Sequence, residues 1–506
     1  MVQNDKKYPL MQLLGKGKGN AIESNGGSLS YENLRSTVLR VGEQLASFGI
    51  GPSNTVGIVT PNGPIAASIF ISVASFATAA PLNPAYTKEE FKYYLRDLDA
   101  KLLIIMENTP TDAIKAAQEL TIKIIEIRSG ELPGDITLAH KGKILNRAAA
   151  TYNQANDVSL VLHTSGTTSR PKIVPLTSDN ISVSARNIAR TLKLNDRDRY
   201  LNIMPLFHIH GLLAGVLTTL ESGGSIYCST GFDALKFFNM LNDAKPTWFS
   251  AVPTMHQAIL DRAKRNKEII KQIKLKFIRS SSASLPVSVL KKLELEFNCP
   301  VIEAYGMTEA SHQMTSNPLP PLRRKPGTVG LPAGPIIGIL SNEGQLVGAN
   351  QIGEIAIKGA NVMTGYRSNA QANRENFSNG WFKTGDQGSI DDDGFLTIKG
   401  RLKEIINRGG EKVSPHEVDE IIMNHPNVAQ VITFSIPHAK LGEDVGAALV
   451  LIDPDKTTKS DIKEYLRGKI AAFKIPRTVI FMKEIPKGST GKIQRIGLAK
   501  KLGIIE

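Results

Sequence analysis

The chain has 506 residues, of which 41% are hydrophobic and 21% are charged, and its formal net charge is +14. This length exceeds what one hydrophobic core usually supports, and the composition excludes a disordered chain, so we expect a globular protein of at least two domains. Residues 401–506 hold 18 Lys and Arg against 13 Asp and Glu, which shows that the excess charge is spread along the chain. Because basic and aromatic residues do not alternate as in a stacking platform, nucleic-acid binding is only a minor alternative.

A reducing, cytoplasmic compartment is expected. The only cysteines, Cys228 and Cys299, lie in apolar segments typical of buried free thiols. Neither the first residues nor the final Gly-Ile-Ile-Glu resembles a signal peptide or a peroxisomal signal. The uncharged stretch 56–87 is long enough to cross a membrane, but proline and glycine interrupt it. Its central part is rich in Ala and Ser, which favours a helix packed closely on a sheet.

In chain order, short apolar strands alternate with helical segments over the first 300 or so residues. This alternation predicts an α/β fold of helix-flanked sheets that are partly parallel. Thr177 is a candidate cap for one helix, and Pro286 is expected to open another that ends near Phe297. The predicted strands are 56–59, 102–106, 158–163, 226–228, 247–252 and 276–280.

The pattern of predicted elements changes in the last third of the sequence. From about residue 330 to 400, short strand-like runs with glycine turns predict a β-rich subdomain. Beyond Gly400, helices from Pro415 and over 459–470 alternate with strands, which predicts a compact α+β unit. We therefore predict an N-terminal domain over residues 1–400 and a small C-terminal domain over 401–506.

The strand at 158–163 runs directly into a loop of Ser, Thr and Gly that is closed by Lys172. Glycine lets the backbone approach an anion, hydroxyl and amide groups donate hydrogen bonds, and lysine adds positive charge, so the loop suits phosphate. It is not a Walker loop, because Pro171 precedes the lysine and no Ser or Thr follows it. Alone, such a loop is more often a plain connection. The candidate phosphate ligands are Thr164, Ser165, Gly166, Thr167, Thr168 and Lys172.

Three further motifs follow in order: EAYGMTE at 303–309, WFKTGD at 381–386 with GRLKE at 400–404, and PKGSTGKIQR at 486–495. Together with the phosphate loop, and over nearly the whole chain, they resemble the acyl-adenylate-forming superfamily, which includes acyl-CoA synthetases, luciferases and peptide-synthetase adenylation domains. The resemblance implies an enzyme that joins a carboxylic acid to ATP as an acyl-adenylate and then transfers the acyl group to coenzyme A. ATP, Mg²⁺ and CoA are the implied ligands.

The resemblance also assigns nucleotide-site residues. Glu309 and Thr164 are implied as Mg²⁺ ligands, and Thr308 as a contact of the α-phosphate. Asp386 and Arg401 match residues that hold the ribose hydroxyls. The segments implied to border the nucleotide are Ser282, Ala283, Ser284, Glu303, Ala304, Tyr305 and Gly306. One departure is Ile173, which stands where relatives usually have glycine and either stiffens the loop exit or packs inward.

Lys492 matches the catalytic cation that bridges the substrate carboxylate and the α-phosphate. Its distant place in the chain implies that the C-terminal domain is mobile and closes over the nucleotide, and Lys403 matches the hinge. In the other orientation, Arg408, Gly409 and Gly410 are implied to face the pantetheine thiol of CoA. Gly409 and Gly410 are equally compatible with an ordinary turn.

Two histidines and several serines cluster in the segments that should line the acid pocket, where a fatty or aromatic acid would need apolar surface. His208, His210, Ser280 and Ser282 are candidates to hydrogen-bond a second carboxylate on a short substrate. The amino-acid sequences of these segments are most similar to those of the oxalyl-CoA synthetases, and this resemblance implies oxalate as the acid. In the alternative interpretation, His208 is an aromatic gate beside the nucleotide and His210 is a hydrogen-bonded core residue.

The sequence is also compatible with other acid substrates and with one other class of adenylating protein. The rivals are a synthetase for malonate, for a short-chain acid or for a hydroxycinnamic acid, and an adenylation unit that loads a carrier protein. The carrier alternative is disfavoured because no attached carrier domain is visible in the sequence. The sequence does not distinguish a monomer from a homodimer.

Overall fold

The computed structural model describes residues 9–164, 171–486 and 494–505. Their strands form four sheets. The first sheet has nine strands, in the spatial order Leu331–Pro332, His312–Ser316, Val301–Met307, Phe277–Ser280, Trp248–Ala251, Arg199–Asn202, Ser225–Cys228, Asn20–Ser24 and Gly27–Ser30. The second has eight, in the order Ile173–Thr177, Val158–His163, Thr78–Pro81, Thr55–Val59, Leu102–Met106, Lys123–Ser129, Ile136–His140 and Lys143–Ile144. Both sheets are parallel in the middle and antiparallel at their ends.

The third and fourth sheets are smaller. The third contains Ile336–Leu340, Gly353–Lys358, Phe377–Ser378, Trp381–Ile390 and Leu396–Arg401, and all its neighbouring strands are antiparallel. The fourth contains Ile406–Arg408, Glu411–Val413, Val428–His438, Gly442–Leu451 and Thr478–Phe481. The predicted β-rich region after residue 330 is the third sheet. The predicted α/β architecture with a separate C-terminal unit is confirmed.

Helices cover the sheets and connect their parallel strands. The α-helices are Pro9–Leu13, Tyr31–Ser47, Pro64–Phe76, Lys88–Asp97, Asp112–Glu119, Ser178–Thr191, Thr218–Glu221, Phe237–Ala244, Pro253–Ala263, Lys267–Gln272, Val287–Phe297, Ala370–Asn376, Pro415–Ile422, Lys459–Leu466 and Leu498–Lys501. A π-helix spans His210–Leu217, and short 3₁₀ turns cover Lys264–Asn266, Thr308–Ala310, Pro454–Lys456 and Ala472–Lys474.

Local sequence signals explain several of these boundaries. Thr177 caps its helix by accepting a hydrogen bond from the backbone of Asn180, and Pro286 immediately precedes the helix that ends at Phe297. The helix predicted over 459–470 is shorter and ends at Leu466, because Gly468 adopts a left-handed backbone with φ of 75°.

The apolar helix Pro64–Phe76 is a packed core helix, as its Ala and Ser content predicts. Every residue from Ala66 to Phe76 is buried, and the helix contacts strands of both the first and the second sheet. Within the described residues, no helix combines the length and the hydrophobicity that a membrane crossing requires.

The hydrophobic cores follow the sheets. One large cluster of buried residues runs through the first, second and third sheets, while the fourth sheet has a separate cluster on each of its faces. The fourth sheet therefore packs as its own unit. The exact boundary at residue 400 stays a prediction, since the last strand of the third sheet ends at Arg401 and the first strand of the fourth begins at Ile406.

Candidate active site

The carboxyl ends of parallel strands bring the candidate residues together. In the second sheet, the strand Val158–His163 is followed directly by Thr164. In the first sheet, the strands Phe277–Ser280 and Val301–Met307 lead into the turns that carry Ser282 and Glu309. In open α/β sheets this edge is the usual place for ligands. Segments far apart in the chain thereby converge on one region.

The ends of the phosphate loop are fixed by an antiparallel strand pair. The amide of Thr164 donates to the carbonyl of Lys172 at 2.9 Å, and the amide of Lys172 donates to Thr164 Oγ1 at 3.2 Å. Ile173 is 5% exposed and packs into the core of the second sheet, so the inward alternative is correct for its side chain. Ser165, Gly166, Thr167 and Thr168 lie outside the described residues, and their phosphate contacts stay predictions.

Lys172 lies beside a buried tyrosine and the candidate metal ligand. Its Nζ is 4.5 Å from the ring centroid of Tyr366, a cation–π contact. The Tyr366 hydroxyl donates to Glu309 Oε1 at 2.8 Å. Burial lowers the pKa of Lys172, as does the charge of Lys403, whereas Glu309 raises it. A desolvated cation and a carboxylate thus meet at the mouth of the phosphate loop.

Glu309 follows the strand Val301–Met307 in a 3₁₀ turn that begins at Thr308. Burial raises the pKa of Glu309, while the Tyr366 hydrogen bond and the charges of Arg401 and Lys172 oppose that rise. The described residues contain no group of three or more His, Cys, Asp or Glu arranged to hold a metal. A hard cation bound here would therefore take one protein carboxylate and complete its coordination with phosphate oxygens and water, as Mg²⁺ commonly does.

Tyr305, Asp386 and Arg401 form a connected group. Asp386 and Arg401 lie opposite each other on neighbouring strands of the third sheet, with Arg401 Nε 3.1 Å from Asp386 Oδ1. The Tyr305 hydroxyl donates to the other carboxylate oxygen of Asp386. The Asp386 charge raises the pKa of Arg401. The resemblance had implied both charged residues as ribose ligands but had not placed the tyrosine hydroxyl on them.

The two segments implied to border the nucleotide are joined directly. Ser281 Oγ donates to the carbonyl of Ala304 at 2.9 Å, Ser282 has a left-handed φ of 72°, and Ala283 and Ser284 are exposed. Gly306 is required, because a Cβ there would lie 1.7 Å from the carbonyl oxygen of His312.

Glu303 is engaged inside the protein. Its carboxylate accepts hydrogen bonds from the Gly327 amide at 3.2 Å and from Asn317 Nδ2 at 3.3 Å. Burial raises the pKa of Glu303 to about 8. A nucleotide contact by this residue stays a prediction.

A buried polar cluster surrounds His210. One ring nitrogen, Nδ1, lies 3.0 Å from Ser282 Oγ, and the other, Nε2, lies 2.6 Å from Ser250 Oγ. The ring of His312 stacks on that of His210 with centroids 4.9 Å apart. These contacts match the interpretation of His210 as a hydrogen-bonded core residue. His208 is half-buried, and Ser280 is buried with no hydrogen-bond partner for its hydroxyl among the described residues.

Sequence reasoning missed four members of this region, one of which is Ser250. His312, Gln313 and Arg279 are buried around His210 and Ser250. Arg279 directly precedes the candidate Ser280, and His312 and Gln313 follow the motif at 303–309, so their position offered a signal. What the sequence lacked was the antiparallel pairing of Val301–Met307 with His312–Ser316, which turns His312 toward His210.

The hinge candidate Lys403 lies between the third and fourth sheets, and the CoA candidates lie in a hairpin of the fourth sheet. The Leu402 amide, next to Lys403, donates to the carbonyl of Gly385 at 2.9 Å. Gly409 and Gly410 have φ of 61° and 97° and form the two-residue turn of a β-hairpin. Arg408 Nε lies 2.7 Å from Asp444 Oδ1. Lys492 lies outside the described residues, so its catalytic role stays a prediction.

The fold and the convergence of these motifs define an adenylate-forming enzyme. Residues 14–367 match the model of the family described as AMP-binding enzyme, and residues 417–492 match the model of the AMP-binding enzyme C-terminal domain. The chain therefore belongs to the AMP-binding enzymes and is an acyl-CoA ligase of this family, which uses ATP and CoA. The predicted family and enzyme class are confirmed.

The chain is also similar to individual ligases and to solved structures. The chain is 42% identical to an oxalate–CoA ligase of Arabidopsis thaliana, over 97% of this chain and 95% of that protein. It is 41% identical to an oxalate–CoA ligase of Saccharomyces cerevisiae, over 88% of this chain and 86% of that protein. Among solved structures, ATP-bound MatB from Rhodopseudomonas palustris matches with a TM-score of 0.88 at 27% identity, covering 98% of both chains. Its apo form matches with a TM-score of 0.77 over the same coverage.

Proposed function

We propose that this ligase acts on oxalate and converts oxalate, ATP and CoA into oxalyl-CoA, AMP and pyrophosphate. The observation that carries the proposal is the polar cluster of His210, Ser250, Ser282 and His312 beside the nucleotide motifs. A pocket bordered by imidazole and hydroxyl groups suits an acid with a second charged end. An apolar acid would offer these imidazole and hydroxyl groups no polar partner, whereas a second carboxylate could accept hydrogen bonds from them. The naming of the two oxalate–CoA ligases at 42% and 41% identity supports the same choice.

The chemistry proceeds in two steps. A carboxylate oxygen of the acid attacks the α-phosphorus of ATP, and the bond to pyrophosphate breaks. The thiolate of CoA then attacks the acyl carbon, and AMP leaves. Because each step brings anions together, the protein contributes mainly position and positive charge.

The resemblance implies a role in these steps for each candidate residue. Lys172, together with the loop from Thr164 to Thr168, would stabilise the departing pyrophosphate. Glu309 would hold Mg²⁺, which neutralises phosphate charge when bound. Asp386 and Arg401 would orient the ribose, and Thr308 would contact the α-phosphate. Lys492 would bridge the acid and the α-phosphate once the C-terminal unit closes about Lys403. A cytoplasmic location fits the two buried free thiols, Cys228 and Cys299.

The test is pyrophosphate release by the purified full-length protein with ATP, Mg²⁺ and one acid at a time. The acids are oxalate, malonate, acetate, octanoate and coumarate, and CoA-thioester formation is measured separately. We expect kcat/KM for oxalate to exceed that for every other acid by about tenfold or more, as expected for a site built to pair polar groups. Preference for octanoate or coumarate would refute the polar-pocket argument, and preference for malonate would move the assignment to the nearest rival.

Two controls complete the assay. Lys492→Ala should lower oxalate-dependent pyrophosphate exchange by about a hundredfold or more, because it removes a charge from the transition state. Adenylation that proceeds normally while free CoA is never acylated would instead favour the carrier-loading alternative.

A further inference from the structure

Arg279 is a buried cation without a matching anion. Its side chain is fully buried on the strand Phe277–Ser280, at 0% exposure. Among the described residues, no carboxylate lies within ion-pair distance of its guanidinium. Burial lowers the pKa of Arg279 to about 10, so it remains charged at neutral pH. Burying a charge without a partner is costly, and such residues generally persist where a ligand or a specific geometry requires them.

The guanidinium group directs its N–H donors at the buried polar cluster that surrounds His210. Nη1 lies 3.2 Å from His312 Nε2 and 3.5 Å from Ser250 Oγ, and Nη2 lies 3.2 Å from Gln313 Oε1. Arg279 Nε has no hydrogen-bond partner among the described residues. Gln313 is itself fixed, because its Nε2 donates to the Ala333 carbonyl at 3.1 Å. Arg279 is thus held against His312, Ser250 and Gln313.

The contact with His312 determines a protonation state. A guanidinium nitrogen can only donate, so His312 Nε2 must accept and cannot carry a proton. His312 is then a neutral imidazole with its proton on Nδ1. The ring can therefore donate a hydrogen bond only through Nδ1. A neutral donor ring backed by a fixed cation favours an anionic ligand.

We propose that Arg279 is a positioning and specificity-determining residue for a small dicarboxylate. It holds His312 in the Nδ1–H form and supplies the positive charge that the second, unreacted carboxylate of the substrate neutralises. The inference rests on the proposed function for the identity of the acid. It assigns to this strand a role in choosing dianions over monoanions.

The test compares Arg279→Gln and Arg279→Lys in the full-length enzyme with a matched packing control, Phe277→Leu. Phe277 lies two residues earlier on the same strand and is also fully buried. KM for oxalate is measured by pyrophosphate exchange. Oxamate, which has an amide in place of the second carboxylate, is measured as a competitor through its inhibition constant.

For Arg279→Gln we expect KM for oxalate to rise by about tenfold or more, as for an interaction with a charged partner, while the inhibition constant for oxamate and KM for ATP change by less than about twofold. Arg279→Lys should restore most of the preference for oxalate. Equal losses for oxalate and oxamate, or the same losses in Phe277→Leu, would show that Arg279 only supports packing and would overturn the proposal.

A second measurement separates this proposal from the identity of the acid. In the full-length protein labelled with ¹⁵N-histidine, the His312 resonances should show protonated Nδ1 in the wild type and in Arg279→Lys, and a shift toward the other tautomer in Arg279→Gln. If oxalate is not a substrate but the tautomer responds in this way, the positioning role stands and the oxalate assignment fails. An unchanged tautomer in Arg279→Gln refutes the positioning role whatever the substrate.

Discussion

Tyr366 connects the two opposite charges at the phosphate-loop mouth. Its ring contacts Lys172 and its hydroxyl donates to Glu309, so one side chain orders both the cation and the carboxylate. Replacing it with phenylalanine keeps the ring and removes only the hydrogen bond. The substitution therefore isolates the contribution of the hydroxyl to Glu309.

We predict that Tyr366→Phe weakens the use of Mg²⁺ and shifts its pH dependence. The hydroxyl lowers the pKa of Glu309 against the effect of burial, so its loss raises that pKa. A higher carboxyl pKa leaves less ionised Glu309 as the pH falls. The acid limb of the Mg²⁺-dependent rate should therefore move to higher pH, and the Mg²⁺ requirement at neutral pH should rise roughly fivefold for a lost bond of ~1 kcal/mol.

The measurement is pyrophosphate release over a series of Mg²⁺ concentrations from acid to alkaline pH. Tyr227→Phe is the matched control, because its hydroxyl bonds to Asn25 at the far end of the first sheet. An acid limb that stays in place in Tyr366→Phe would show that Glu309 does not hold the metal.

At this scale the sequence identified candidate residues that stand in motifs and missed those that do not. Glu309, Asp386 and Arg401 stand in motifs whose order is recognisable. Tyr366 is 57 residues from Glu309, and nothing in its local sequence marks it. The contact between Arg279 and His312 could likewise not be predicted locally, because strand pairing brings together these two residues, which are 33 positions apart.

Among the elements, the C-terminal unit depends on a mostly buried ion pair. Arg495, just after the Lys492 segment, contacts Asp419 on the helix Pro415–Ile422 and lies 3.6 Å from Glu404. Asp419 also accepts a hydrogen bond from the Thr433 amide at 2.6 Å on the neighbouring strand. The pair thus joins the chain beyond Lys492 to a helix, a strand and the predicted hinge.

We predict that Arg495→Met destabilises this unit by about 3 kcal/mol, because it leaves the Asp419 carboxylate buried without its cation. Hydrogen exchange should accelerate in the strands Val428–His438 and Gly442–Leu451 and remain unchanged in the first sheet. The double variant Arg495→Met with Asp419→Leu should recover much of the loss, since neither charge then remains. Exchange that rises equally in all four sheets would contradict a local role for the pair.

The elements themselves were largely predictable, because apolar runs, caps and glycines act locally. Thr177 and Pro286 marked helix starts correctly, whereas the helix from Lys459 was predicted four residues too long. The Gly468 that follows its true end was visible in the sequence. A single glycine is tolerated in many helices, so its left-handed conformation could not be inferred without the turn around it.

For the whole molecule, the order of strands was beyond local reasoning. The strand Asn20–Ser24 lies beside Ser225–Cys228 in the first sheet, some 200 residues further along the chain. Alternation of strands and helices predicts parallel sheets but not which strands are neighbours. The order of the motifs nevertheless predicted that the phosphate loop, the Glu309 turn and Asp386 share one site. A resemblance to a family implies which distant segments lie together, whereas the alternation of strands and helices does not.

The final prediction concerns the movement of the C-terminal unit as a body. The hinge candidate Lys403 lies near Lys172, since its charge lowers the pKa of the phosphate-loop lysine. The whole chain also matches the ATP-bound form of MatB better than the apo form. We expect CoA transfer to require a rotation of this unit about the backbone near Lys403, away from the arrangement that serves adenylation.

Lys403→Pro should separate the two half-reactions. The proline ring fixes φ of residue 403, so it opposes the rotation. We expect oxalate-dependent pyrophosphate exchange to be retained largely, while thioester formation falls on the order of a hundredfold because the thiol cannot be aligned. Lys403→Ala is the matched control, since it removes the same side chain without restricting the backbone. Equal losses in both half-reactions, or an equal effect of alanine and proline, would place the hinge elsewhere in the chain.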